Sequence, residues 1–539
     1  MKRTMKSLLS LTLALVMAAS TCVMAFAKSG TVTPIICLHG FTGSDIYNYV
    51  NTDKEELILS FHTDHLAYYG VLAYALGQML WNSTPTPLNV EKFVYADPEA
   101  IVDNLATFAR KTEFNCDKNG NPKRGSGIKS FDGPLADHPE FFEQIETDNK
   151  IRGQVIYARE FCERIGKENV YEFYYDWRLD GNVLGESLDR YIDMVKKQTG
   201  AKKVILNGDS EGGMVMAAYL DRHLNDNELA GMCFVDSAFA GLSVTHMFAK
   251  DFTMTEPQVE RFLRGFAATL TDGDYETLVR LAAFLLQYRL HTISDNVHRI
   301  NDSPEGEALV DRIFLEVLKP LFGNCPAFLE FIPYKDFDRT VKVLTDMGYL
   351  DKTTGLYRKI CTYHKTMGRL NSNLQQAVKK GVRTSIIANY GEPAPPFTKE
   401  ASEAHSDVLI DTTYASAGAT VAEFDKKLNV KSGRYVSPDK VIDASTCALP
   451  ESTWFIAGVM HTLFREETEL LEFVLNLTLY PTQPTLDKIK NQYGYSQYLY
   501  ADPQAQTLVN VTKDQVYNPE HTDTLQKTMD LLDRVSLYQ

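Results

Sequence analysis

The 539-residue chain predicts an α/β fold, a doubly wound and mainly parallel sheet with a helical lid or cap inserted into it. Three observations carry this. Apolar runs such as Ile35-Ile36-Cys37-Leu38 are continuous rather than alternating, the pattern of strands buried on both faces. Helix-periodic segments separate those runs. A long, mostly helical block from about 242 to 380 then interrupts the alternation before the last strands.

In chain order, the first strand is Pro34 to Leu38, ending in His39-Gly40. The second is Val170 to Tyr175, followed by Asp176-Trp177-Arg178. Helical periodicity runs from about Leu184 to Lys197, with Gly200 as C-cap. A strand ending at Leu206 leads through a turn into helix-compatible sequence from Met214 to Leu220, and Met232 to Val235 is the next strand. A helix from about Leu370 to Lys380 stops at Gly381 and precedes the strand Thr384 to Asn389, and Ser452 to Ala457 reads as the last core strand. Residues 45–150 are polar and rich in Asn, Asp and Pro, with Trp81 assigned to a lid element or to packing. The tail after Phe464 reads as one helix, a Tyr-rich irregular stretch and a final helix near Thr522 to Leu537. The expected organisation is therefore a leader over 1–27, a first core part over 28–241 with an insertion over 45–150, a helical cap over 242–380, a second core part over 381–465 and an extension over 466–539.

The leader reading rests on basic Lys2, Arg3 and Lys6, a short apolar stretch from Leu8 to Val16, and Ala25-Phe26-Ala27 as a small-residue cleavage site. It is a bacterial-type signal peptide and predicts a secreted or cell-surface protein beginning at Lys28. No later run reaches the ~18 apolar residues of a membrane span, so no transmembrane segment is expected in the mature chain. The net charge of −15 argues against nucleic acid and against electrostatic docking on anionic lipid. Seven cysteines follow the leader without a Cys-x-x-Cys pair, so neither a zinc nor a redox motif is supported. Cys37 and Cys233 fall inside strands as small core residues, and the pairing of any disulfide cannot be read. Asp117, Asn119 and Asn121 imitate the start of a calcium loop, but Pro122 stands where that loop needs Gly and Ile128 replaces its final Glu, so a solvated turn is expected. No metal and no cofactor is assigned.

The chemistry lies in Val204 to Gly213, VILNGDSEGG. Gly208, Ser210 and Gly212 form Gly-x-Ser-x-Gly between a strand and a helix, the context of a nucleophile elbow in an α/β-hydrolase sheet. The tight turn leaves no room for side chains at Gly208 and Gly212 and lifts the Ser210 hydroxyl above the strand ends. Serine needs a base to take its proton, and the base needs an acid to orient it. In this fold the order along the chain is Ser, acid, His. His461, just after the last core strand, is the expected base. Asp407 is the expected acid, with Asp411 as competitor. The two oxyanion donors are expected to be the backbone N–H of Glu211 and that of Phe41 in the loop His39 to Ser44.

Together these residues resemble the lecithin:cholesterol acyltransferase-like branch of α/β hydrolases, which includes lysosomal phospholipase and phospholipid:diacylglycerol acyltransferases. Pro34 to Ser44, with Gly40, Gly43 and Ser44, is similar to the first strand and oxyanion loop of that family. Tyr175-Asp176-Trp177-Arg178 resembles its Tyr-Asp-Trp-Arg signature, and Pro326 to Pro333 a degraded form of its lid segment. Asp407 with Ile410 resembles its acid loop, and His461 falls where it places its histidine. Asp176 and Arg178 read as an ionic brace behind the elbow. The family usually writes His before the nucleophile and an apolar residue after it, where this chain has Asp209 and Glu211. Two carboxylates there predict a protonated His461, activity displaced to higher pH, and repulsion of anionic head groups.

The expected function is an exported serine hydrolase acting on small-molecule or lipid acyl esters, as lipase, esterase or phospholipase, with acyl transfer as a variant of the same acyl-enzyme. The alternatives are an amidase or peptidase using the same triad, and a catalytically silent hydrolase-fold surface protein.

Overall fold

A computed structural model describes residues 32–59, 98–111, 114–130, 132–140, 142, 152–253, 255, 258, 261, 303–459, 461, 468–502 and 507–512. The leader, Trp81, most of the block 254–302 and the helix expected near Thr522 to Leu537 lie outside these residues.

The central elements follow one another as β1 (Ile35–Leu38), α1 (Arg152–Ile165), β2 (Val170–Phe173), α2 (Gly181–Thr199), β3 (Val204–Asp209), α3 (Glu211–His223), β4 (Leu229–Val235), α4 (Gly355–Lys379), β5 (Arg383–Tyr390), β6 (Thr453–Ala457), α5 (Thr468–Thr478), β7 (Tyr498–Asp502) and β8 (Thr507–Asn510). The eight strands form one sheet in the order β8-β7-β6-β5-β4-β3-β1-β2. Every neighbouring pair is parallel except β7 with β8.

Helices cover both faces, which explains the continuous apolar strands. Ile36, Leu38, Leu206, Met232, Phe234 and Ile386 point to one side, against the apolar stripes of α2, α3 and α4. Ile35, Cys37, Ile205, Cys233, Val235 and Ile387 point to the other, against α1 and α5. Cys37 and Cys233 are core residues, as their sequence setting predicts. Local signals set the ends of α2: the Asp180 carboxylate accepts the N–H groups of Asn182 and Val183, and Gly200 closes the C-terminus at φ 71°.

Two expectations about boundaries are corrected. The sheet does not end at β6: β7 and β8, in the segment read as an irregular extension, add to its edge through Phe455 beside Tyr498 and Tyr500 beside Val509. The helical block does not remain separate up to 380 either. Its last helix, α4, starts at Gly355 rather than near Leu370, and its C-terminal half packs Leu370, Leu374 and Ala377 into the sheet core. Upstream, Phe248, Phe314, Leu329, Ile332, Phe337 and Leu344 gather in a second apolar cluster that also takes in Leu356 and Ile360 of α4. The segment near 117 is a turn, with Asp117 Oδ1 accepting the N–H groups of Asn119 and Asn121 at 2.7 and 3.0 Å.

Candidate active site

The turn between β3 and α3 is sterically sealed. A Cβ on Gly208 would lie 2.5 Å from Met216 Sδ and 3.0 Å from the carbonyl carbon of Gly212. A Cβ on Gly212 would lie 2.7 Å from the carbonyl oxygen of Leu38. Helix α3 therefore approaches β1 and β3 at backbone distance. Ser210 takes the strain, with φ 51° and ψ −120°, a conformation that L side chains rarely adopt. It is held there by its N–H to Val235 O at 3.1 Å and by its carbonyl, which accepts from Ala238 N at 2.9 Å.

Three side chains from distant parts of the chain meet at this turn. His461 Nε2 lies 2.9 Å from Ser210 Oγ, and His461 Nδ1 lies 2.6 Å from Asp407 Oδ2. Asp407 is fully buried, and its Oδ1 accepts the N–H groups of Leu409 and Ile410 at 2.9 and 2.6 Å. Its carbonyl accepts the His461 N–H at 2.9 Å, fixing the two loops to each other. Asp411 is elsewhere: both its oxygens go to Ser243, one to the N–H at 2.8 Å and one to the hydroxyl. Of the two competing acids, only Asp407 meets the imidazole.

The loop after β1 closes the other side of Ser210. Gly43 N donates to Gly40 O at 3.1 Å, and a Cβ on Gly40 would stand 2.9 Å from Ser210 Cβ. The segment after β2 clamps this loop. Tyr175 stacks on His39 with centroids 4.1 Å apart and donates its hydroxyl to His39 O at 2.5 Å. Ser44 donates to Tyr175 O at 2.6 Å, and Trp177 Nε1 donates to Ser44 O at 2.9 Å. The two N–H groups expected as oxyanion donors belong to Glu211, the residue after Ser210, and to Phe41, the residue after Gly40; neither donates to another backbone group among the described residues. The Phe41 ring packs edge-on to Trp177, Phe328 and Phe331, an aromatic cluster on the loop that Gly40 brings against Ser210.

Asp176 and Arg178 form a buried, two-pronged ion pair at 2.8 and 2.6 Å. Arg178 also donates to Phe114 O and Ser126 Oγ, so the brace ties the segment around 114–126 to the strand ends.

The electrostatics differ from the sequence expectation. Glu211 is completely buried, and neither carboxyl oxygen has a hydrogen-bond partner among the described residues. Burial, with Asp176 adding to it, pushes its pKa well above the carboxylate range. Its burial keeps it from meeting a head group, which corrects the expectation that it repels anionic head groups. Burial also lifts Asp209, to about 7, against the pull of His461. Burial of His461 disfavours the imidazolium, but Asp407, Asp236 and Asp209 outweigh it and raise the pKa to about 9. Asp236, fully buried after β4, went unnoticed in the sequence, where an Asp behind an apolar run reads as an ordinary turn residue.

Two groups of acid and imidazole side chains come close enough to share a cation among the described residues: Asp189, His223 and Asp226 on the surface, and Asp236, Asp407 and His461 here. In the second group both imidazole nitrogens are already engaged by protein. No helix among the described residues is long and apolar enough to cross a membrane. No protein-family model matches the sequence, and no curated protein matches it.

Proposed function

We propose that this chain is an exported serine hydrolase of the α/β-hydrolase fold, related to the lecithin:cholesterol acyltransferase-like branch, and that it acts on acyl esters. The observation that carries the proposal is the continuous hydrogen-bonded line Ser210–His461–Asp407, closed at a strained strand-to-helix turn. This arrangement suits nucleophilic attack on a carbonyl.

In the proposed reaction Ser210 Oγ attacks the acyl carbon while His461 Nε2 takes its proton. Asp407 holds Nδ1–H and stabilises the imidazolium that forms. Negative charge on the former carbonyl oxygen is met by the N–H groups of Phe41 and Glu211. His461 then returns the proton to the leaving alcohol, and water resolves the acyl-enzyme by the same steps in reverse. The cluster formed by Phe41, Phe328 and Phe331 favours an apolar acyl group. The complete burial of Glu211 removes one objection to an anionic substrate.

The test is labelling with a fluorophosphonate probe, followed by turnover of nitrophenyl esters of increasing chain length. Wild type should label on Ser210, and Ser210→Ala should neither label nor turn over. Absence of labelling in wild type, or equal labelling of the Ala variant, rejects the proposal.

A further inference from the structure

Four neighbouring strands each deliver one polar side chain to the same place. Ser210 follows β3, Asp236 follows β4, Asp407 comes from the loop after β5, and His461 follows β6. Three of these make the hydrogen-bonded line described above; Asp236 is the fourth and has no part in it.

Its placement is specific. Asp236 is held at φ 39° by its N–H to Ile387 O at 2.9 Å, and its Oδ1 accepts the N–H of Asn389 at 2.6 Å. Both contacts are to β5, the strand that leads to Asp407. The other oxygen, Oδ2, is buried without a hydrogen-bond partner among the described residues. One carboxylate oxygen from each of Asp236 and Asp407 and one His461 ring nitrogen lie within 4.8 Å of one another.

Two carboxylates this close and this buried disfavour each other's ionisation, so one of them holds its proton more tightly. Hydrogen bonding decides which of them keeps it. Asp407 is met by Leu409 N, Ile410 N and His461 Nδ1, whereas Asp236 is met only by Asn389 N. The negative charge therefore belongs on Asp407 and the proton on Asp236. The other titratable groups facing Asp236 are His461, Asp209 from β3 and Tyr157 from α1, with Asp411 beside Asp407. Burial and Asp407 both push the Asp236 carboxyl well above the usual range, in agreement with the geometry.

We propose that Asp236 is a second acid of this site, a positioning residue that stays protonated beside Asp407 and supports the His461 imidazolium when Asp407 is neutralised or removed. The proposal rests on the reading of His461 as base and Ser210 as nucleophile. With Asp407 gone, burial remains the chief force holding the proton on Asp236, one of the like charges is removed, and the neighbouring imidazole pulls against it. Asp236 then passes its proton to His461, and its carboxylate becomes the anion facing the imidazolium.

The experiment compares wild type, Asp236→Asn, Asp407→Ala and the double variant. Turnover of nitrophenyl acetate is measured, and His461 is titrated by NMR. Asp407→Ala should lose about 100-fold in kcat/KM, less than the ~10⁴-fold seen when the acid of such a triad has no substitute. Asp236→Asn should cost far less in the wild-type background than in the Asp407→Ala background, where the double variant falls about 10⁴-fold below wild type. The His461 pKa should drop by at least about one pH unit from Asp407→Ala to the double variant. Equal turnover and equal His461 pKa in those two proteins would overturn the proposal. Asp407→Asn, alone and with Asp236→Asn, repeats the comparison if the Ala variant does not fold, with thermal unfolding of each protein as the check. The titration needs no turnover, so it decides the role of Asp236 even if wild type fails to label and the hydrolase reading falls.

Discussion

The Nδ1 atom of His461 meets Oδ2 of Asp407 at 2.6 Å inside a site where the aspartate is wholly buried. The imidazole is therefore a stronger base than a free histidine, with its pKa at about 9. A general base must be neutral to accept the Ser210 proton, so kcat/KM for an uncharged ester should rise about tenfold per pH unit at lower pH and level off above about 9. An acid limb with its midpoint below about 7 would contradict the geometry. Stability runs the other way. A folded-state pKa above the unfolded value of about 6.5 gives stabilisation that is full below that value and is lost as the pH rises through about 9. Thermal unfolding across the same pH range reads this directly.

Asp411 tests the choice of acid. Its carboxylate serves Ser243 rather than the imidazole. Asp411→Asn should keep activity within about threefold and cost about 1–2 kcal/mol of stability, as loss of a buried charge-assisted bond does. Substitution of Asp407 should cost turnover heavily and at least as much stability as Asp411→Asn, since its buried carboxylate holds two N–H groups and the imidazole.

The glycines separate catalysis from folding. A methyl at Gly40 would press on Ser210 Cβ at 2.9 Å, so Gly40→Ala should lose about 100-fold in kcat through displacement of the nucleophile. At Gly212 the obstacle is the backbone oxygen of Leu38 at 2.7 Å, which cannot swing away. Gly212→Ala should therefore lower stability by about 1–3 kcal/mol, as overpacking does, visible in urea unfolding without any substrate.

Arg178 and Asp176 are both buried and are joined twice. Removing one partner leaves an uncompensated charge, so Arg178→Met should destabilise the fold by about 3–5 kcal/mol. Replacing both with apolar residues of similar volume should restore much of that loss. A single variant as stable as wild type in denaturant would show that the brace carries no weight.

Much of this architecture was legible because parallel strands write themselves as unbroken apolar runs. Ile35 to Leu38, Met232 to Val235 and Thr384 to Asn389 are nearly unmistakable, and the glycines around Ser210 announce a turn with no space. Chain order then pointed to Asp407 and His461. What stayed hidden depended on neighbours rather than on local pattern. Strands β7 and β8 mix tyrosine, aspartate and asparagine, the composition of an edge, and only pairing with β6 gives them a place. Asp236 became meaningful once β4 and β5 proved adjacent. Glu211 was misjudged because charge can be counted from a sequence, whereas the loss of its hydration cannot.

His461 stands 251 residues after Ser210, just past a strand that is itself flanked by β7. During synthesis, Ser210 and its supporting glycines emerge long before the polypeptide that will activate them. Gln497, which donates to Pro450 O and Thr453 O, fastens the far side of the histidine strand later still. A nascent or truncated chain thus carries an inert alcohol, and reactivity arrives only when translation is almost complete. For the ester hydrolase proposed above, this timing would guard the cell that makes it.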